Sequence, residues 1–164
     1  LKLSHIAVMA GMSLLLVGCG YNGVASSKDV TSSISMSQPD SGLAISKYLN
    51  TIMQSTSSLD AMLTEMIQPQ VTPTASQYDA LSEQTQNVIT DTSLNIEYID
   101  GQNVASVLQT KKELALSDAK NFKSVLQDIV VACRNRDKNA LTQAYGNYQT
   151  MISAMQSDSS TLNN

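Results

Sequence analysis

Four methionines fall into pairs spaced four residues apart, Met62 with Met66 and Met151 with Met155. On a helix this spacing sets both side chains of a pair on one face. Soft thioethers bind Cu(I) without needing imidazole. Antiparallel pairing of the two segments would bring Met53 to the level of Met151, so Met53, Met151 and Met155 are the residues from which a thioether metal site would be assembled. The same positions also continue apolar stripes, and methionine readily fills irregular gaps in a core. Core filling is therefore the preferred reading, with Cu(I) or small-ligand binding as the alternative. Cys133 stands beside Arg134 and Arg136. Neighbouring cations lower a thiol pKa, whereas apolar burial raises it. Its place on the core side of a helix favours a buried structural thiol, with an intermolecular disulfide as the alternative.

The absences are equally informative. The single histidine, His5, belongs to the apolar N-terminal run, and there is no tryptophan. Without histidine after that run, His-ligated haem, imidazole zinc or copper sites, the Glu-x-x-His di-iron pattern and every histidine-based triad are excluded. Carboxylates are scattered, no Gly-rich loop offers a phosphate cradle, and no serine is singled out by a neighbouring lysine. The expectation is a protein that is not an enzyme and has no dissociable cofactor.

Charge is sparse and uneven. Of ten Lys and Arg, Lys2 lies in the N-terminal run, and seven of the other nine lie between residues 111 and 138. Lys112, Lys120, Lys123 and Arg134 fall within one quarter of a helix through that region. They are candidates for contact with an anionic polymer of a cell envelope or with lipid headgroups. The segment before them carries Asp79, Glu83, Asp91 and Glu97 and no basic residue. Helix-pairing electrostatics is the simpler reading, with Glu83 level with Lys120 and Asp91 level with Lys112. Exposed pairs of this kind contribute only ~0–1 kcal/mol each. The net charge of −4 argues against nucleic acid as a partner.

These residues need helices to position them, and the periodicity supplies four. The first spans about 42–68, with Asp40 or Ser41 as N-cap and a stripe of Ile45, Leu49, Ile52, Thr56, Leu59, Leu63 and Met66; Pro69 and Pro73 end it. The second spans about 75–99 on Tyr78, Leu81, Thr85, Val88, Thr92 and Ile99, and closes at Asp100-Gly101, where glycine suits a left-handed cap. The third spans about 102–135 and the fourth, capped by Asp137, about 138–159. Gly146 inside the fourth reads as a close helix approach or a local kink. The fold class expected is all-α, an up-down antiparallel four-helix bundle. A continuous second and third helix is the competing arrangement.

Ahead of the helices, residues 3–18 are almost entirely apolar or small, and Gly18, Gly20 and Gly23 end the run short of the ~20 residues a spanning helix needs. This pattern is a secretory signal. Its end, Leu16-Val17-Gly18-Cys19, resembles the lipobox of bacterial lipoproteins. The resemblance is specific only at these four residues. It implies cleavage between Gly18 and Cys19, a diacylglyceryl group on the Cys19 thiol with a further acyl chain such as palmitate, and a lipid-anchored chain in the cell membrane or outer membrane. Each buried methylene of such chains contributes about 0.8 kcal/mol of membrane binding. The expected organisation is a signal peptide over 1–18, a lipidated cysteine and flexible tether over 19–40, and a helical bundle over 41–162. The function expected is that of a membrane-anchored envelope lipoprotein, its domain outside the cytoplasm, serving as a structural or interaction module with an envelope protein as partner.

Overall fold

A computed structural model describes residues 38–163 of the 164. The signal, Cys19 and all but the last three residues of the tether lie outside the described residues. Those described belong to one compact unit and are all-helical: α1 (Gln38–Ser55), α2 (Ser57–Met66), α3 (Ala75–Asp100), α4 (Ser106–Asn135) and α5 (Lys138–Leu162). No strand occurs among them.

The expected stripes form one core. Ile45, Leu49 and Ile52 of α1, Leu59 and Leu63 of α2, Leu81 of α3, Phe122, Leu126 and Ile129 of α4, and Leu141 and Met155 of α5 are fully buried. Each such side chain contributes about 1.5–3 kcal/mol by leaving water. Cross-helix contacts show how neighbours run. Ser46 meets Ser159, Thr64 meets Tyr145 and Lys138 reaches Gln68, so α1 and α2 run opposite to α5. Tyr48 stacks on Tyr98 at 5.3 Å and Ser58 bonds to Gln84, so α1 and α2 also run opposite to α3.

Four boundaries differ from those the sequence suggests. Residues 38–40 belong to α1, not to the tether; Pro39 fits the first turn, whose N–H groups have no intrahelical partner in any case. Ser41 is no cap: it is buried, and its hydroxyl donates to the Asn103 carbonyl at 3.1 Å. The single helix expected over 42–68 is divided at Thr56. The Ser55 and Thr56 hydroxyls donate to the carbonyls of Ile52 and Met53, each three residues back, at 2.7 and 2.6 Å. Back-bonding of this kind competes with the helical ladder and bends it, and the ladder resumes with Asp60 N–H donating to Thr56 O. Finally, α4 begins at Ser106 rather than 102, so α3 and α4 are separate helices joined by 101–105.

The caps follow local chemistry. Thr74 and Gln77 form a reciprocal capping box at the start of α3. Asp137 Oδ1 accepts from the N–H groups of Asn139 and Ala140, as expected for the start of α5. The left-handed residue is Arg136 (φ 53°), not Gly101, which is right-handed (φ −70°). Arg136 closes α4 with paired bonds, Arg136 N–H to Cys133 O and Asp137 N–H to Ala132 O.

The close approach expected at Gly146 is made at Gly42 instead. A Cβ on Gly146 would meet nothing within 4 Å, so Gly146 is neither a close approach nor a packing requirement. At Gly42 a Cβ would lie 2.6 Å from the Leu162 carbonyl oxygen. The close approach of the domain is there, where α1 starts beside the end of α5. Gly146→Ala is expected to stabilise the domain by up to about 1 kcal/mol through helix propensity, and Gly42→Ala to destabilise it by about 1–3 kcal/mol through overpacking. Thermal melts of the two variants should move in opposite directions.

Candidate functional site

The methionines of the two spaced pairs and Met53 pack in or against the core. Met155 is fully buried, and Met53 and Met151 are half-buried against the same cluster. Cys133 is 2% exposed. Burial, aided by Asp79, pushes its thiol up to about 11, the opposite of the shift that adjacent arginines would cause. Arg134 and Arg136 are themselves exposed.

The basic region does not form one strip of four. Lys112 donates to the carbonyls of Asp100 and Gln102, both at 2.7 Å, and so closes the end of α3. Asp91 is nine residues away along α3, roughly 13 Å at 1.5 Å per residue, and is not its partner. The level of Cys133 with Asp79 fits the same register. The expected pairing is displaced because the chain turns through 101–105 rather than at a tight Asp-Gly corner. Lys120 and Arg134 are exposed and Lys123 is half-buried.

A pattern that sequence reasoning missed is what the other lysines do. Lys111, near the start of α4, donates at 2.7 Å to Thr161 O at the end of α5. Lys138, the first residue of α5, donates at 2.6 Å to Gln68 O just past α2, and also to Val71 O. The ends of α2, α3 and α5 have no basic residue of their own in the last turn. Each instead receives a lysine from the beginning of another helix. Cations near a helix C-terminus satisfy its free carbonyls and complement its dipole. The signal in the sequence was Lys138 directly after the Asp137 cap of its helix; Lys111 and Lys112 gave none, because the helix that carries them reads from about 102 and starts at Ser106.

Beside the Thr56 bend lies a cleft of about 390 Å³ lined by Thr56, Ser57, Asp60, Tyr148, Gln149, Ile152, Ser153 and Gln156. A polar and aromatic network runs from its Asp60, Tyr148 and Gln149. Tyr145 OH donates to Asp60 Oδ1 at 3.3 Å, lies 3.0 Å from Thr64 Oγ1 and accepts from Gln149 Nε2 at 2.9 Å. Tyr148 stacks on Tyr145 and tilts against Phe122. Burial pushes its hydroxyl up to about 12, opposed by a hydrogen bond with Thr56, so it is a neutral structural phenol. Asp60 and Gln149 of this cleft are committed to Tyr145, and Thr56 to Tyr148. Ser153 likewise donates back to Gln149 O.

Among the described residues no group of three or more His, Cys, Asp or Glu is placed to hold a metal ion. One acidic pair does meet across helices, Asp118 of α4 with Asp158 of α5. No family model, no curated protein and no solved structure matches the chain.

Two outcomes test these roles of Lys138 and Cys133. Lys138→Met removes the donor to Gln68 O and Val71 O and should cost about 1.5 kcal/mol of stability, read from the denaturant midpoint. Cys133, followed by peptide mapping so that Cys19 is counted separately, should resist thiol reagents at pH 7.5 in the folded chain and react at the normal rate in denaturant.

Proposed function

We propose that the chain is a bacterial envelope lipoprotein and that its helical domain is a structural or protein-interaction module rather than an enzyme. In this reading the signal ends at Gly18 and Cys19 carries the diacylglyceryl group. Residues 19–37 then tether the domain to the membrane. The domain is an up-down-up-down four-helix bundle in which α1 and α2 together make one leg. The antiparallel contacts of α1 and α2 with both α3 and α5 support this topology. No helix among the described residues is long and apolar enough to cross a membrane, so anchoring falls to Cys19.

The observation that carries the interaction reading is how the polar chemistry is used. Of the four candidate polymer contacts, Lys112 closes the end of α3, the Cys133 thiol is buried, Met53, Met151 and Met155 pack on the core, and Asp60 and Gln149 of the Thr56 cleft bond to Tyr145. Large apolar side chains also stand outward. Leu94 and Tyr98, one turn apart on α3, are 48% and 55% exposed, and Tyr48 of α1 stacks on Tyr98. An apolar, aromatic helix face suits another protein better than an ion or a sugar.

Two measurements test the two halves of this proposal. Mass analysis of the purified protein should find Cys19 as an acylated N-terminus, and Cys19→Ser should release the chain from membranes; an unmodified or uncleaved N-terminus would refute the anchor. A photocrosslinker at Leu94 or Tyr98 in intact envelopes should capture one dominant protein, and the same probe at Asn121, an exposed position of α4, should not. Equal capture at both positions, or none at either, would refute the interaction face.

A further inference from the structure

Asp158 is the only acidic residue of α5. It lies four residues before the helix ends, and it is 6% exposed. Its Oδ2 is buried with no hydrogen-bond partner. The carboxyl that faces it is that of Asp118, half-buried on α4, within hydrogen-bonding reach. Two ionised carboxylates cannot hydrogen-bond to each other. A contact between them requires a proton, because one oxygen must donate.

The groups described around this turn on α1 and α4 are uncharged or engaged elsewhere. From α1 the neighbours of this turn are Ser46 and Asn50, both uncharged: Ser159 Oγ is 2.7 Å from Ser46 Oγ and donates to Asn50 Oδ1 at 3.1 Å. From α4 the nearby cation is Lys111, whose ammonium is engaged with the Thr161 carbonyl. The partial negative charge at the end of α5 also disfavours a carboxylate there. Burial and Asp118 together push the Asp158 carboxyl up to about 6.

The same two turns are held by other contacts that need α5 in place. Gly42 admits the Leu162 carbonyl, and the Leu162 side chain is buried in the core. The stretch 156–162 is thus a latch. Ser46 and Asn50 hold it to α1, and Lys111 and Asp118 hold it to α4.

We infer that Asp118 and Asp158 form a proton-sharing pair that latches the last two turns of α5, and that loss of this proton as pH rises loosens the segment 156–162 from α1 and α4. The step is a simple proton release. The hydrogen held between the two carboxyl oxygens passes to water, and two facing carboxylates remain. The sign follows from linkage. The folded carboxyl binds its proton more tightly than the unfolded one, so its stabilisation is complete below the unfolded value near 3.8 and is lost as pH rises through about 6. The latch belongs to the helical domain alone and stands whether or not the lipid anchor does.

The test is amide hydrogen exchange on the full chain between pH 5 and pH 8, corrected for intrinsic exchange. Wild-type protection over 156–162 should fall about tenfold across that range, as a carboxyl shifted from 3.8 to about 6 requires. Core amides of α4 around Phe122 should fall less. Asp158→Asn should keep the latch closed at both pH values and flatten the profile. Asp118→Asn, at a half-buried position that does not endanger folding, should move the midpoint of the wild-type profile downward while leaving the segment protected at pH 8. A flat wild-type profile would overturn the inference, and so would an unchanged profile in either variant. A rise in protection at pH 8 on adding Ca²⁺ or Mg²⁺, absent in Asp158→Asn, would overturn it too, by assigning the pair to a cation instead of a proton.

Discussion

The last turn of a helix leaves up to four carbonyls without an intrahelical partner, and this domain has few charges with which to satisfy them. Its solution is to borrow. Lys138 reaches the chain just past α2, Lys112 the end of α3 and Lys111 the end of α5. Lys138 opens its own helix, Lys111 and Lys112 stand in the second turn of theirs, and each serves the C-terminal end of another helix. This works only because the helices concerned run antiparallel, with one start beside another end. Arg136 is the local exception, closing α4 with its own backbone in a left-handed turn. The bonds therefore fix register as well as closing ends: a slip of one turn would move an ammonium about 5.4 Å from its carbonyls.

Polar residues inside the apolar stripes have different consequences according to which hydrogen bonds they find. Thr85 donates to Leu81 O and continues α3 undisturbed. Thr92 is fully buried with no partner for its hydroxyl, a local cost of about 1–3 kcal/mol. Ser55 and Thr56 act in succession, and their paired back-bonds turn one expected helix into two. The bend sets Thr56 against the Tyr148 hydroxyl and brings Asp60 and Thr64 to Tyr145. A run of Ser-Thr-Ser-Ser over 55–58 carried this signal. It was masked because Thr56 also keeps the apolar register of Ile52 and Leu59.

The two ends of the domain are built differently. Where α2 gives way to α3, the chain is clamped by a lysine and capped by Thr74 and Gln77. Where α1 begins and α5 finishes, the contacts are a glycine, two serines and an asparagine, a lysine and two facing carboxyls. Hydroxyl and amide bonds of this kind contribute about 1 kcal/mol each. The facing carboxyls make that end the one whose closure depends on protonation.

Hydrophobic periodicity determined the helical class, the core stripes and most helix centres, because a period of 3.6 residues is a local property that each segment carries alone. Caps with local chemistry, such as Asp137 on α5, were legible for the same reason. The leader and the four residues ending at Cys19 stand as a sequence pattern, since they lie outside the described residues. What the sequence alone did not determine was which partner each polar group takes. Lys112 was read against Asp91 and belongs to the end of α3; Gly146 was read as a close approach, and Gly42 makes it; Asp158 was an unremarked residue near a helix end and is a buried carboxyl facing Asp118. Such contacts join residues as far apart as Gly42 and Leu162, at opposite ends of the domain. They depend on the length of the 101–105 link and on the bend at Thr56, which set the register between helices. Register is a property of the packed assembly, and no single segment encodes it.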